Sequence, residues 1–155
     1  MTVRVNTNEA SLLENQKKQE TLCMNKYANY INEAQDLHLK ALFESNYRQE
    51  QHHVNTLEQL LGGQVPAYPG QQPGWSAPPT EPSRFPPIRQ GGVSDADMCN
   101  DLLTAENQLA ESYSAAISGV VTPQIRQAFN QFLNDAQQHS AGLSDYLSRH
   151  GLYQR

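Results

Sequence analysis

The chain has 155 residues, enough for one domain with a real core. Sixteen acidic against eleven basic residues give a net charge of −5 with no basic run, which argues against nucleic acid and anionic membranes as partners. The apolar runs are too short to insert into a membrane, and residues 1–10 lack the hydrophobic segment of a signal peptide. The two cysteines, Cys23 and Cys99, form no metal or redox motif; an intracellular protein whose cysteines act as small hydrophobes is expected.

Residues 1–8 have no periodicity. Ser11 and Glu14 fit a capping box, so a first helix is expected from near Ser11 to about Ala34, with Leu13, Glu20, Met24, Tyr27, Ile31 and Ala34 on its buried stripe. Asp36 can cap a second helix that continues to Leu61 and stops at Gly62 and Gly63. The connection is short, so the two helices form an antiparallel hairpin over about 9–62. The second helix carries Leu39, Phe43, Glu50, His53 and Leu57 on one face, which places a Glu-x-x-His among leucines. Buried carboxylate and imidazole groups are costly unless a metal ion or a hydrogen-bond network satisfies them.

The composition changes over 63–93. Eight of the nine prolines lie between Pro66 and Pro87, with Gly70, Gly74 and the only tryptophan, Trp75, and Gly91 and Gly92 follow. Helix and central strand are excluded there. At about 3.1 Å per residue, an extended proline-rich chain can run the length of a helix of some 37 Å. An ordered crossover anchored by Tyr68, Trp75, Phe85 and Ile88 is expected. Ser94 then caps a third helix, with Leu102, Glu106, Tyr113, Ile117 and Val120 on its stripe. Thr122 and Pro123 open a fourth, which bears Ile125, Phe129, Ala136, His139, Leu143 and Leu147 and ends near His150. His38, His52 and His150 have no paired context and are expected at the surface.

The two hairpins superimpose without a gap at an offset of 86. Glu20 falls on Glu106, Tyr27 on Tyr113, Asp36 on Thr122, Phe43 on Phe129 and His53 on His139. Two equivalent hairpins joined by a long crossover make an all-α four-helix bundle with pseudo-twofold symmetry, each hairpin burying its apolar face against the other. Ferritin-like di-metal proteins set a Glu on each of two helices and a Glu-x-x-His on each of the other two. Glu20, Glu50, His53, Glu106 and His139 fill five of those six positions; the sixth is Ala136, with Asp135 one residue away. The five are therefore candidate metal ligands, for iron or manganese. A metal-free site held by Glu–His and Tyr hydrogen bonds is preferred by a modest margin.

In the second hairpin, Asp101, Leu102, Leu103 and Glu106, then Tyr113, Ile125-Arg126, His139 and the closing Gly151-Leu152-Tyr153 resemble the Coat F family of spore coat proteins from endospore-forming bacteria. The match covers about residues 94–153. Ile125 stands for the family's Leu before Arg, and Leu152 for its Trp. The resemblance implies a ferritin-like bundle; the first hairpin joins it through the internal repeat, so 1–155 is expected as one domain. It further implies synthesis in the mother-cell cytoplasm, a place in the spore coat, and assembly with other coat proteins and with itself. It implies no catalytic activity. The alternative is a di-metal or mono-metal carboxylate protein with an oxidase, peroxidase or metal-storage role.

Overall fold

The computed structural model describes residues 2–65 and 94–150. Four helices appear in the expected order: α1 (Thr7–Glu33), α2 (Leu37–Leu61), α3 (Asp95–Ile117) and α4 (Pro123–Arg149). α1 packs along α2 and α3 along α4 as two hairpins, and the hairpins meet through α1 against α3 and α2 against α4. The expected crossover anchors Tyr68, Trp75, Phe85 and Ile88, and the closing Gly151, Leu152 and Tyr153, lie outside the described residues.

The first helix begins a turn earlier than expected. The capping box is formed by Asn6 and Glu9, not Ser11 and Glu14: the Glu9 N–H donates to Asn6 Oδ1 at 2.8 Å and the Asn6 N–H to Glu9 Oε1 at 3.3 Å. Its buried stripe also differs, because Gln16 and Cys23 face inward while Met24 and Ile31 are half-buried. Asp36 and Ser94 cap α2 and α3 through their side chains as expected. Thr122 does not. Its hydroxyl donates to Glu9 Oε1 at 2.8 Å, and Glu9 Oε2 accepts from the N–H groups of Val121 and Thr122 at 3.0 and 2.8 Å.

The other end of the bundle mirrors this arrangement. Asp95 accepts from the N–H groups of Gln35 and Asp36, both at 2.9 Å. Glu9 and Asp95 are equivalent under the offset of 86, as are Gln35-Asp36 and Val121-Thr122. Each hairpin thus supplies, from its first turn, the acid that satisfies the orphan amides at the start of the other hairpin's second helix. Burial disfavours charge on Glu9, but bonds from Thr122, Asn6 and Val121 outweigh it and hold its pKa below the usual value. This exchange fixes α1 antiparallel to α3.

At the end of α2, Gly63 takes φ 78°, a left-handed conformation suited to glycine, and its carbonyl accepts from the Val3 N–H at 2.7 Å. The described residues flanking 66–93 therefore lie at opposite ends of the bundle, Gly63 beside Val3 and Asp95 beside Gln35.

The interior is layered. One apolar cluster contains Tyr27, Leu39, Leu42, Phe43, Met98, Leu102, Leu143 and Tyr146. The other contains Leu13, Leu57, Leu60, Leu109, Tyr113, Ile125, Phe129 and Phe132. Each fully buried Leu or Phe contributes about 1.5–3 kcal/mol. The ring pairs repeat the symmetry: Tyr27 meets Phe43 edge-on at 5.9 Å between centroids, and Tyr113 meets Phe129 edge-on at 5.4 Å. Buried polar residues from all four helices fill the space between the clusters.

Candidate functional site

Helical spacing brings the polar layer together. Glu20 on α1, Glu50 and His53 on α2, Glu106 on α3 and His139 on α4 each sit at an inward position. All five expected site residues are buried, and the three glutamates are 0 % exposed. His53 and His139 lie with ring centroids 6.4 Å apart.

Each histidine has oxygen-bearing partners at both ring nitrogens. His53 Nδ1 lies 3.1 Å from Glu20 Oε1, and its Nε2 lies 2.8 Å from Asp135 Oδ2. His139 Nδ1 lies 2.8 Å from Glu106 Oε2 and 3.2 Å from Glu50 Oε1, and its Nε2 meets Gln49 Oε1. With an oxygen facing each nitrogen, the geometry favours the doubly protonated, imidazolium form of both rings. Burial alone would lower the His53 pKa, but Glu20 and hydrogen bonds to Asp135, Glu20 and Glu50 carry it well above the usual value. His139 is pushed up to about 10, burial being outweighed by Glu106 and Glu50.

The carboxylates divide their roles. Glu50 is pushed well above the usual carboxylate range by burial and by the charges of Glu106 and Glu20, which favours its protonated form. Glu20 lies below its usual value, because His53 and hydrogen bonds from Glu50, His53 and Tyr113 overcome its burial. The tyrosines cross between hairpins: Tyr113 donates to Glu20 Oε1 at 2.6 Å, and Tyr27 to Glu106 Oε2 at 2.7 Å. Asn46 Nδ2 donates to Tyr27 Oη at 3.2 Å. Both phenols are held well above their usual pKa by burial and the neighbouring carboxylates. They are core aromatics with bonded hydroxyls, as the sequence suggests.

Two members of the site are not among the five. Gln49 and Asp135 stand behind the histidines and orient them, as outer partners do for metal-bound imidazoles. They are equivalent under the offset of 86, and each directly precedes the Glu50 or Ala136 position. Asp135 does not replace the missing glutamate by facing the centre; it binds the far nitrogen of His53. The repeat alignment contained this signal, but Gln and Asp do not match by type.

The remaining histidines are not simple surface residues. His52 is half-buried, with its pKa lowered by burial and by His53 against the opposing pull of Asp135. His150 stacks on Tyr146 at 4.0 Å, with Nε2 3.6 Å from Asp36.

The donor set fits a cation. Ligand atoms of Glu20, Glu50 and His53 lie within 4.8 Å of one another. Glu106 Oε1 is buried with no hydrogen-bond partner among the described residues, and Glu20 Oε2 and Glu50 Oε2 have none beyond the hydrogen bond that joins these two carboxyl groups. Buried carboxylate oxygens without partners are costly, and a divalent ion or a shared proton is what satisfies them. His53 and His139 would bind through Nδ1 after losing that proton, with Nε2 still held by Asp135 and Gln49.

No helix among the described residues is long and apolar enough to cross a membrane. No curated protein and no solved structure matches the chain. One protein family does, and its match begins at the cap of α3 and covers the second hairpin: over residues 94–155 this chain carries a Coat F domain.

Proposed function

We propose that this chain is a spore coat protein that works by assembly with other coat proteins and with copies of itself. It is made in the mother-cell cytoplasm and then laid into the coat. The observation that carries this reading is the Coat F domain over residues 94–155. The first hairpin serves as the domain's structural partner, since the two halves cap each other through Glu9 and Asp95. A fluorescent fusion expressed from the native promoter in a sporulating host tests the reading. Signal gathering around the forespore and retained in extracted coats is expected. Diffuse signal in vegetative cells, absent from purified coats, would overturn it.

A second reading concerns the interior, and the buried, under-satisfied carboxylate oxygens of Glu20, Glu50 and Glu106 favour it. Glu20, Glu50, His53, Glu106 and His139 bind a divalent transition metal such as manganese or iron, which would supply Lewis-acid or redox chemistry for storage, oxidase or peroxidase activity. In this reading the chain's own residues orient the imidazoles and exclude water. Anaerobic titration with Mn2+ or Fe2+ should raise the melting temperature of the wild-type chain. An unchanged melting temperature at excess metal would remove this reading and leave the coat reading standing.

A further inference from the structure

Cys23 makes the interior chemically lopsided. It sits on α1 one turn beyond Glu20 and is buried, and its equivalent in the second hairpin is Leu109. Its Sγ lies 3.9 Å from Glu50 Oε1. Ligand atoms of Cys23, Glu50 and Glu106 fall within 4.8 Å of one another. Two of these residues are fully buried carboxylates; Glu106 Oε1 has no hydrogen-bond partner among the described residues, and Glu50 Oε2 has none beyond the Glu20 carboxyl. His139 Nδ1 faces the same two side chains at 3.2 and 2.8 Å. The group of Glu20, Glu50 and His53 contains no sulfur. The second hairpin offers no oxygen at Ala136, and the first hairpin places a sulfur donor beside Glu50.

We propose that the bundle interior contains two unlike cation subsites sharing Glu50: an oxygen–nitrogen subsite of Glu20, Glu50 and His53, and a thiolate subsite of Cys23, Glu50, Glu106 and His139 that takes a thiophilic divalent cation such as Zn2+ or Co2+. This rests on the cation-binding reading above and adds to it the identity of the ions. Hard oxygen donors suit manganese or iron, whereas a thiolate with imidazole and carboxylate suits zinc and cobalt in a four-coordinate site. Binding forms the sulfur–metal and nitrogen–metal bonds, while the Cys23 thiol, the Glu50 carboxyl and the His139 Nδ1–H give up their protons to solvent. No oxidant or reductant is needed.

Anaerobic Co2+ titration of the reduced, chelator-treated full chain tests the proposal, because a cobalt–thiolate bond gives a near-ultraviolet charge-transfer band. The band should appear in wild type, persist in Cys99→Ser and vanish in Cys23→Ser. Zn2+ affinity should fall roughly 100-fold or more in Cys23→Ser, beyond what losing an outer hydrogen-bond partner costs. Mn2+ should still raise the melting temperature of that variant. Cys23→Ala provides the same comparison if the serine variant fails to fold, and the wild-type band is informative without either. Co2+ or Mn2+ binding with no sulfur band, or a band unchanged in Cys23→Ser and Cys23→Ala, overturns the thiolate subsite alone. No binding of either metal overturns it together with the cation-binding reading.

Discussion

His53 and His139 occupy equivalent positions in the two hairpins, and each turns Nδ1 toward the buried glutamate of its own hairpin, Glu20 or Glu106. Behind them the halves diverge. His53 rests on a carboxylate, Asp135, and His139 on an amide, Gln49. In front, Glu50 has no counterpart but Ala136, and Cys23 none but Leu109. The comparison separates two demands on one sequence. Caps, tyrosine bridges and ring pairs need both copies, because each half completes the other. The centre needs a balance of charge and donors, which unlike halves can supply between them.

The largest effect should come from removing a cation from this balance. His53→Ala leaves Glu20 and Asp135 without their shared partner and should lower unfolding free energy by about 3–5 kcal/mol. His139→Ala should cost somewhat less, because its outer partner is neutral. Urea unfolding of metal-free protein measures both. Two near-neutral variants would show that the imidazoles are not charged in the fold.

The pH dependence comes next. His139 is pushed up to about 10 in the fold from its ordinary 6.5, so its stabilisation is complete below 6.5 and lost as pH rises toward 10. His53, raised in the same direction, adds to the loss. Glu50, whose carboxyl is raised well above the usual range in the fold, acts in the same sense above 4.5. The metal-free melting temperature should fall by roughly 5–10 °C between pH 6.5 and 10. Glu50→Gln should flatten part of that slope. Glu20 lies below the ordinary carboxylate value of 4.5, so its stabilisation is lost as pH falls through the folded value, giving a second decline in acid.

Restoring the missing glutamate sharpens the comparison. Ala136 is buried, so Ala136→Glu adds bulk and a further acid to the centre and should cost the metal-free protein roughly 1–3 kcal/mol. Added Mn2+ should recover that loss if the interior is a cation site. The smallest effect tests the shared frame. Glu9→Gln and Asp95→Asn each weaken an equivalent cap and should each cost about 1 kcal/mol. A large difference between them would break the symmetry of the two ends.

The frame was readable because its signals are periodic and local. Asp36 and Ser94 announce their helices, and the offset pairing Glu20 with Glu106 and His53 with His139 places two hairpins in one bundle. The start of α1 was misjudged because Ser11 and Glu14 fit the same pattern as Asn6 and Glu9, and only the tertiary bond from Glu9 to Val121 and Thr122 separates the two. Cys23 and Gln16 were missed as interior residues because Met24 and Ile31 fit an apolar stripe better, and a polar layer rewards a different choice. Asp135 lies one residue from the missing glutamate position, and nothing in its spacing points to the far nitrogen of His53, which it binds. Spacing places a residue near a site; which nitrogen it binds depends on side-chain length and on its neighbours.

Glu50 is the one carboxylate common to both donor groups, and it has no copy in the second hairpin. Calorimetric titration of Mn2+ and Co2+ into wild type and Glu50→Ala, both purified free of metal, tests that central position most directly. Wild type should bind both ions and Glu50→Ala neither, with the variant still folded. A wild type that binds neither ion, or a folded Glu50→Ala that binds both with wild-type affinity, would contradict the cation-binding account of the interior.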